Sequence, residues 1–142
     1  PSDFATNHYQ GGYTVKFRSA FIAAGIAVAL LGGCRSAAVY NVDAAPVTAN
    51  KAVTMADMQK AIIRAGAGLG WQMNVVQPGL IVGTLRLRSH MAAVDIKYDT
   101  KAYSISYKDS SNLDYDGTNI HKNYNGWVQN LDNGIRAQLV NL

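Results

Sequence analysis

The sequence predicts an α+β fold: an antiparallel meander of about four strands, with two helices packed on one of its faces. Two observations carry this. Apolar residues recur every three or four positions over 54–71 and again over 119–139, the period of a helix with one buried stripe. Between them, successive segments alternate apolar and polar residues, the period of strands with one wet face.

The first helix begins in "TMADMQKAIIRAGAGLGW". Thr54 can cap its start, and Asp57 three residues on completes a capping box in which aspartate replaces the more usual glutamate. Met55, Met58, Ile62, Ala65 and Leu69 form its stripe, and Gly66, Gly68 and Gly70 weaken its end. Two strands follow in "WQMNVVQPGLIVGTLRLR", joined at Pro78 and Gly79, which suit the two central positions of a type II turn. In the second of them Ile81, Leu85 and Leu87 face one way, and Arg86 and Arg88 the other. Val94, Ile96 and Tyr98 then alternate with Asp95 and Lys97; after a short turn, Tyr103, Ile105 and Tyr107 alternate with serines. A polar loop leads to the last helix, with Asn119 as its cap and a stripe of Ile120, Tyr124, Trp127, Val128, Leu131, Ile135 and Leu139.

The N-terminal part reads differently. Lys16 and Arg18 precede an apolar run from Ala20 to Leu31, which ends in small residues and the single cysteine, Cys34. Twelve residues are too few to span a bilayer, for which a helix needs about 20, but they suit the apolar region of an export signal. Leu31, Gly32, Gly33 and Cys34 resemble a bacterial lipobox position by position. The resemblance implies cleavage between Gly33 and Cys34 and lipidation of the Cys34 sulfur. Small residues admit the peptidase, and acyl chains of the palmitate type on the cysteine anchor the product, each buried methylene contributing about 0.8 kcal/mol. The alternative is an ordinary buried helix with a buried thiol. Arg35, rather than aspartate, follows the cysteine, which leans toward an outer-membrane lipoprotein facing the periplasm. Residues 1–15 precede the basic flank and are expected to have no fold, with the translation start nearer Val15.

The expected organisation is therefore an extension and signal peptide over 1–33, a lipidated cysteine with a tether and possible edge strand ("AVYNV") over 34–52, and one globular domain over 53–142. One cysteine excludes an intrachain disulfide or a multi-cysteine metal site, so the core must suffice alone. The formal charge is +4 and the acidic side chains are all aspartate; removing the leader leaves a mildly basic domain.

Four constellations could carry chemistry. Asn112, Asp114 and Asp116, with Gly117, have the alternating oxygen ligands of a calcium loop, but the twelfth position is Asn123 rather than the bidentate glutamate. A turn rich in residues tolerant of unusual dihedrals explains them as well, and they make only a weak metal candidate. His90 and His121 could work with an aspartate as an acid–base or metal pair, although nothing in the sequence brings them together. No GxSxG elbow is present, and no catalytic residue is assigned. Arg86, Arg88 and Lys97 could share the polar sheet face as a site for an anionic ligand; the alternative is a normal solvated face. The tyrosines and asparagines of "YDGTNIHKNYNGWVQNL" could stack on a glycan or peptide, but most of its aromatics fall on the helical stripe.

From Trp71 through Trp127, "QPGLIVGTLRLRSHMAAVDIKYD", "YSISYKDSSNLDYDG" and "IHKNYNGWV" resemble a group of small, functionally uncharacterised proteobacterial envelope lipoproteins. That resemblance implies a lipid-anchored periplasmic module and transfers no catalytic residue. The expected function is non-enzymatic binding or scaffolding, without a cofactor, at the membrane through Cys34. Its expected partner is an envelope protein, peptidoglycan or an anionic glycolipid, and export argues against nucleic acid. The alternative is a small periplasmic hydrolase or metal-dependent enzyme using His90 or His121.

Overall fold

The computed structural model describes residues 35–142. The extension and leader over 1–33, the lipobox and its Gly33–Cys34 junction lie outside the described residues.

The chain begins with two short strands, β1 (Ser36–Ala38) and β2 (Val42–Pro46), followed by helix α1 (Met55–Gly68). A four-strand meander comes next: β3 (Gln72–Gln77), β4 (Leu80–Leu87), β5 (His90–Tyr98) and β6 (Ala102–Ser111). A short strand, β7 (Asn119–His121), runs directly into helix α2 (Lys122–Val140). All pairings are antiparallel, giving a five-stranded sheet in the order β2-β6-β5-β4-β3 and a separate β1-β7 ribbon.

The α+β architecture agrees with the sequence reading, and β3–β6 are the expected meander. Thr54 caps α1 as expected, its hydroxyl accepting from the Asp57 N–H while the Asp57 carboxylate accepts from the Thr54 N–H, each at 3.1 Å. That pairing holds the Asp57 carboxyl below its ordinary pKa. Gly79 takes the positive φ (+85°) that the Pro78–Gly79 turn demands. Gly66 lies so close to the Met73 side chain that a Cβ there would require Met73 to shift.

Three details depart from the sequence reading. The fifth strand is Val42–Pro46, whereas "AVYNV" mostly forms the link between β1 and β2. Polar side chains fix that link: the Tyr40 N–H donates to Asn125 Oδ1 at 2.9 Å, and Asn41 Oδ1 accepts the Tyr107 N–H at 3.2 Å. Much of the stretch expected as a tether is thus built into the fold. Secondly, α2 starts later than expected. Asn119 and Ile120 pair with Ala38 and Ala37 as strand, and His121 is the cap, its Nδ1 accepting the Asn123 N–H at 3.2 Å. Thirdly, Leu87 is 48% exposed rather than core, and Arg88 has left the strand for the two-residue β4–β5 turn at φ +55°.

One hydrophobic cluster joins the sheet to both helices. Ile81, Leu85, Val94, Ile96, Tyr103 and Ile105 contribute from the meander, Met58, Ile62 and Ala65 from α1, and Tyr124, Val128, Leu131, Ile135 and Leu139 from α2. The opposite sheet face carries Thr84, Arg86, Asp95, Lys97, Ser104 and Ser106, none of them buried. Both edges are irregular. In β2 the ladder slips at Asp43 and Ala44, and in β3 it slips at Val76.

Ile96 lies fully buried on the central strand, so Ile96→Ala is expected to cost about 2–5 kcal/mol in urea denaturation. Val76→Ala, at a 54%-exposed edge position, should change stability by less than about 0.5 kcal/mol.

Candidate functional site

The structure gathers chemistry-bearing side chains at one end of the sheet. The β4–β5 turn places His90 as the first residue of β5, opposite Leu87 and on the helix side. The β1–β7 ribbon places His121 at the head of α2. The two imidazoles face each other with ring centroids 6.5 Å apart and planes 28° apart, and Trp127, a turn into α2, lies 6.5 Å from His90. The pair that the sequence could not connect is therefore contiguous in space.

Hydrogen bonding fixes their tautomers. His90 Nδ1 lies 2.9 Å from the Asn112 carbonyl oxygen, which can only accept, so Nδ1 carries a proton and in the neutral ring Nε2 keeps its lone pair. His121 Nδ1 accepts from the Asn123 N–H, so in the neutral ring the proton sits on Nε2. The two rings thus offer opposite groups, an acceptor Nε2 on His90 and a donor Nε2–H on His121. A metal bridging both would have to strip the cap hydrogen bond from His121. Among the described residues no group of three His, Cys, Asp or Glu side chains is placed to hold a metal ion.

Of the loop residues Asn112, Asp114 and Asp116, the first and last are engaged by other groups. Asn112 holds the pole together, its Nδ2 donating to the Ser89 carbonyl at 2.7 Å and its own carbonyl accepting from His90. Asp116 Oδ1 accepts the N–H groups of Asn119 and Thr118 at 2.7 and 2.9 Å, bonds that hold its carboxyl below the ordinary range. Asn112 and Asp114 adopt positive φ, 57° and 51°, as residues of a tight loop do.

Arg86 and Lys97 share the polar sheet face but lie at opposite ends of it. Arg86 pairs with Met91 and Lys97 with Leu80, six residues along β4 from Arg86, or roughly 20 Å at the rise of a strand. Arg88 sits in the turn beyond Arg86, and Lys108 is turned to Asp95 at 3.5 Å. The three cations expected to form one face are split between the two ends of the molecule.

A second constellation went unnoticed in the sequence. Asp132, on the buried stripe of α2 and only 6% exposed, accepts the Tyr103 hydroxyl at 2.5 Å and the Arg136 Nε at 3.2 and 3.3 Å. The signal was present, since Asp132 falls between the stripe positions Leu131 and Ile135, and Arg136 is one turn on. Burial first, then the bond to Asp132 and its charge, push the Tyr103 hydroxyl far above the ordinary phenol range. Tyr124 is shifted the same way, chiefly by burial, and its hydroxyl has no hydrogen-bond partner among the described residues. It lies against Tyr107, edge to face at 5.8 Å, and Tyr107 stacks on Tyr115 at 3.9 Å. Of these groups Tyr103, Tyr124 and Asp132 are buried in the core.

No family model, curated protein or solved structure matches the chain.

The contrast between the two buried phenols is measurable. Tyr103→Phe strands part of the Asp132 carboxylate and should cost about 1–3 kcal/mol in urea denaturation at neutral pH, whereas Tyr124→Phe should be nearly neutral. Both folded-state values lie above the unfolded phenol pKa of about 10, so the stability they contribute is complete below that pH and lost as pH rises past it. The denaturation midpoint should therefore fall above about pH 10, and less steeply in the Tyr103→Phe/Tyr124→Phe double variant.

Proposed function

We propose that the protein is an envelope lipoprotein, anchored through acylated Cys34 and facing the periplasm from the outer membrane, whose folded domain binds or scaffolds without catalysing a reaction. The observation that carries this reading is the run Lys16–Cys34, with a basic flank, an apolar stretch too short to span, and Leu-Gly-Gly-Cys at its end. The domain's partner is an envelope protein, peptidoglycan or an anionic glycolipid. Exposed cations outnumbering aspartates along the domain favour an anionic one.

A specific observation favours a second reading: the complementary Nε2 groups of His90 and His121, beside a half-buried tryptophan, could pass a proton to or from a substrate. No carboxylate orients either ring, and no nucleophile is hydrogen-bonded to His90 Nε2 among the described residues.

Cys34→Ala should move the protein from the membrane fraction, and intact mass of the wild-type product should show the leader gone and acyl chains added. A full-length, unmodified polypeptide remaining in the cytosol would defeat the lipoprotein reading. His90→Ala and His121→Ala should each leave the binding of the domain's partner unchanged unless the histidine reading is the right one.

A further inference from the structure

The chain enters the fold at one end of the sheet, and that end is cationic. The carbonyl of Arg35 accepts the Lys122 N–H at 2.9 Å, and Ser36 pairs with His121. The end of β4 and the β4–β5 turn, tied to the Asn112 loop and next to His90, present Arg86 and Leu87, then Arg88 and Ser89, all exposed. Arg35 and Lys122 are exposed as well. The N-terminal end of the nineteen-residue α2 points the same way with no acidic residue in its first turn, so its dipole adds to the positive potential. Three aspartates, Asp109, Asp114 and Asp116, are the carboxylates carried by the strand end and loop on this side, against the four cations, and Asp116 is turned to the N–H groups of Thr118 and Asn119. At the other end of the sheet, Lys97 and Lys101 are interleaved with Asp99.

We infer that this pole is a docking surface for anionic phospholipid headgroups, seating the domain end-on against the bilayer with Arg35, Arg86, Arg88 and Lys122 toward the phosphates and Leu87 as an apolar wedge between them. The orientation rests on the reading of Cys34 as the anchor. That residue is the immediate sequence neighbour of Arg35, so an anchor on it would tether the domain through Arg35. A free tether would let the domain turn any face to the lipid; β1 removes that freedom by pairing the first residues with β7. Charge complementarity then selects the lipid. Basic side chains near an anionic leaflet are attracted within about a Debye length, and an exposed leucine flanked by two arginines is suited to the headgroup boundary. Half-buried Trp127, behind the turn, has the amphipathic character favoured at such a boundary.

The test uses the full-length chain carrying Ser89→Cys, purified from the envelope, labelled at that position with a polarity-sensitive dye and reconstituted in vesicles. One set is phosphatidylcholine, the other phosphatidylcholine mixed with phosphatidylglycerol. The dye emission should move to the blue only with phosphatidylglycerol and return at high salt. Arg88→Asn/Lys122→Gln, with asparagine chosen because it tolerates the positive φ of the turn, should abolish the shift. Lys97→Gln/Lys101→Gln removes equal charge from the other end and should preserve it. Identical emission in both vesicles, or equal loss in both double variants, would overturn the proposal. The anchor is read separately, by intact mass: one dye per chain where the Cys34 thiol is acylated, two where it is free. In the latter case the chain is added to the same vesicles and floated. Flotation dependent on phosphatidylglycerol and lost with Arg88→Asn/Lys122→Gln supports the pole without the anchor, and flotation indifferent to either overturns it.

Discussion

Asp132 is the one charged side chain buried among the described residues, and the placement of α2 depends on what it touches. An ionised carboxylate inside a core is tolerable only when its oxygens are hydrogen-bonded. Here they take the Tyr103 hydroxyl from β6 and the guanidinium of Arg136 from the helix itself. An apolar stripe alone permits a helix to slide or rotate by small amounts over a sheet at modest cost. A short bond between β6 and α2 does not. It adds a directional contact to the packing of the stripe, while the β1–β7 ribbon and the bonds of Asn125 hold the helix head, where His121 and Lys122 lie.

Seen from that anchor point, the molecule has two functional directions. The sheet's polar face mixes serines, threonine, one paired aspartate–lysine couple and separated cations, and the exposed ion pair adds little to stability. The end of the sheet is more differentiated. Two imidazoles with opposite tautomers, an asparagine bridging two loops and four exposed cations meet where the chain comes in.

Local rules were enough for the meander, for the Thr54–Asp57 capping box and for the Pro78–Gly79 turn, because neighbours in the sequence settle each of them. The N-terminal strands were harder to read. "RSAAVYNVDAAP" has no firm alternation, and its pairing is decided by partners sixty or more residues away, such as Ser104, Tyr107 and Asn125. The start of α2 was misplaced for the same reason: Asn119 is a good cap in isolation, but Ala38 offers it a strand partner. The candidate basic face was drawn from alternation alone. Alternation tells which side a residue faces, not how far along the ladder it lies, and Arg86 and Lys97 differ mainly in the latter. The proximity of His90 and His121 depends on the whole topology, so no local signal could have announced it.

The slips in the two outer strands have a consequence for how copies behave when crowded. An unbroken border of amide groups is a template on which another chain can zip, extending one sheet into the next. On one border Ala44 turns to φ 47° with its N–H given to the Ser104 hydroxyl, and Pro46 has no N–H to offer. On the other border the extra residue at Val76 interrupts the row. Neither border therefore offers the uninterrupted row of amide groups that edge-to-edge pairing between two copies needs.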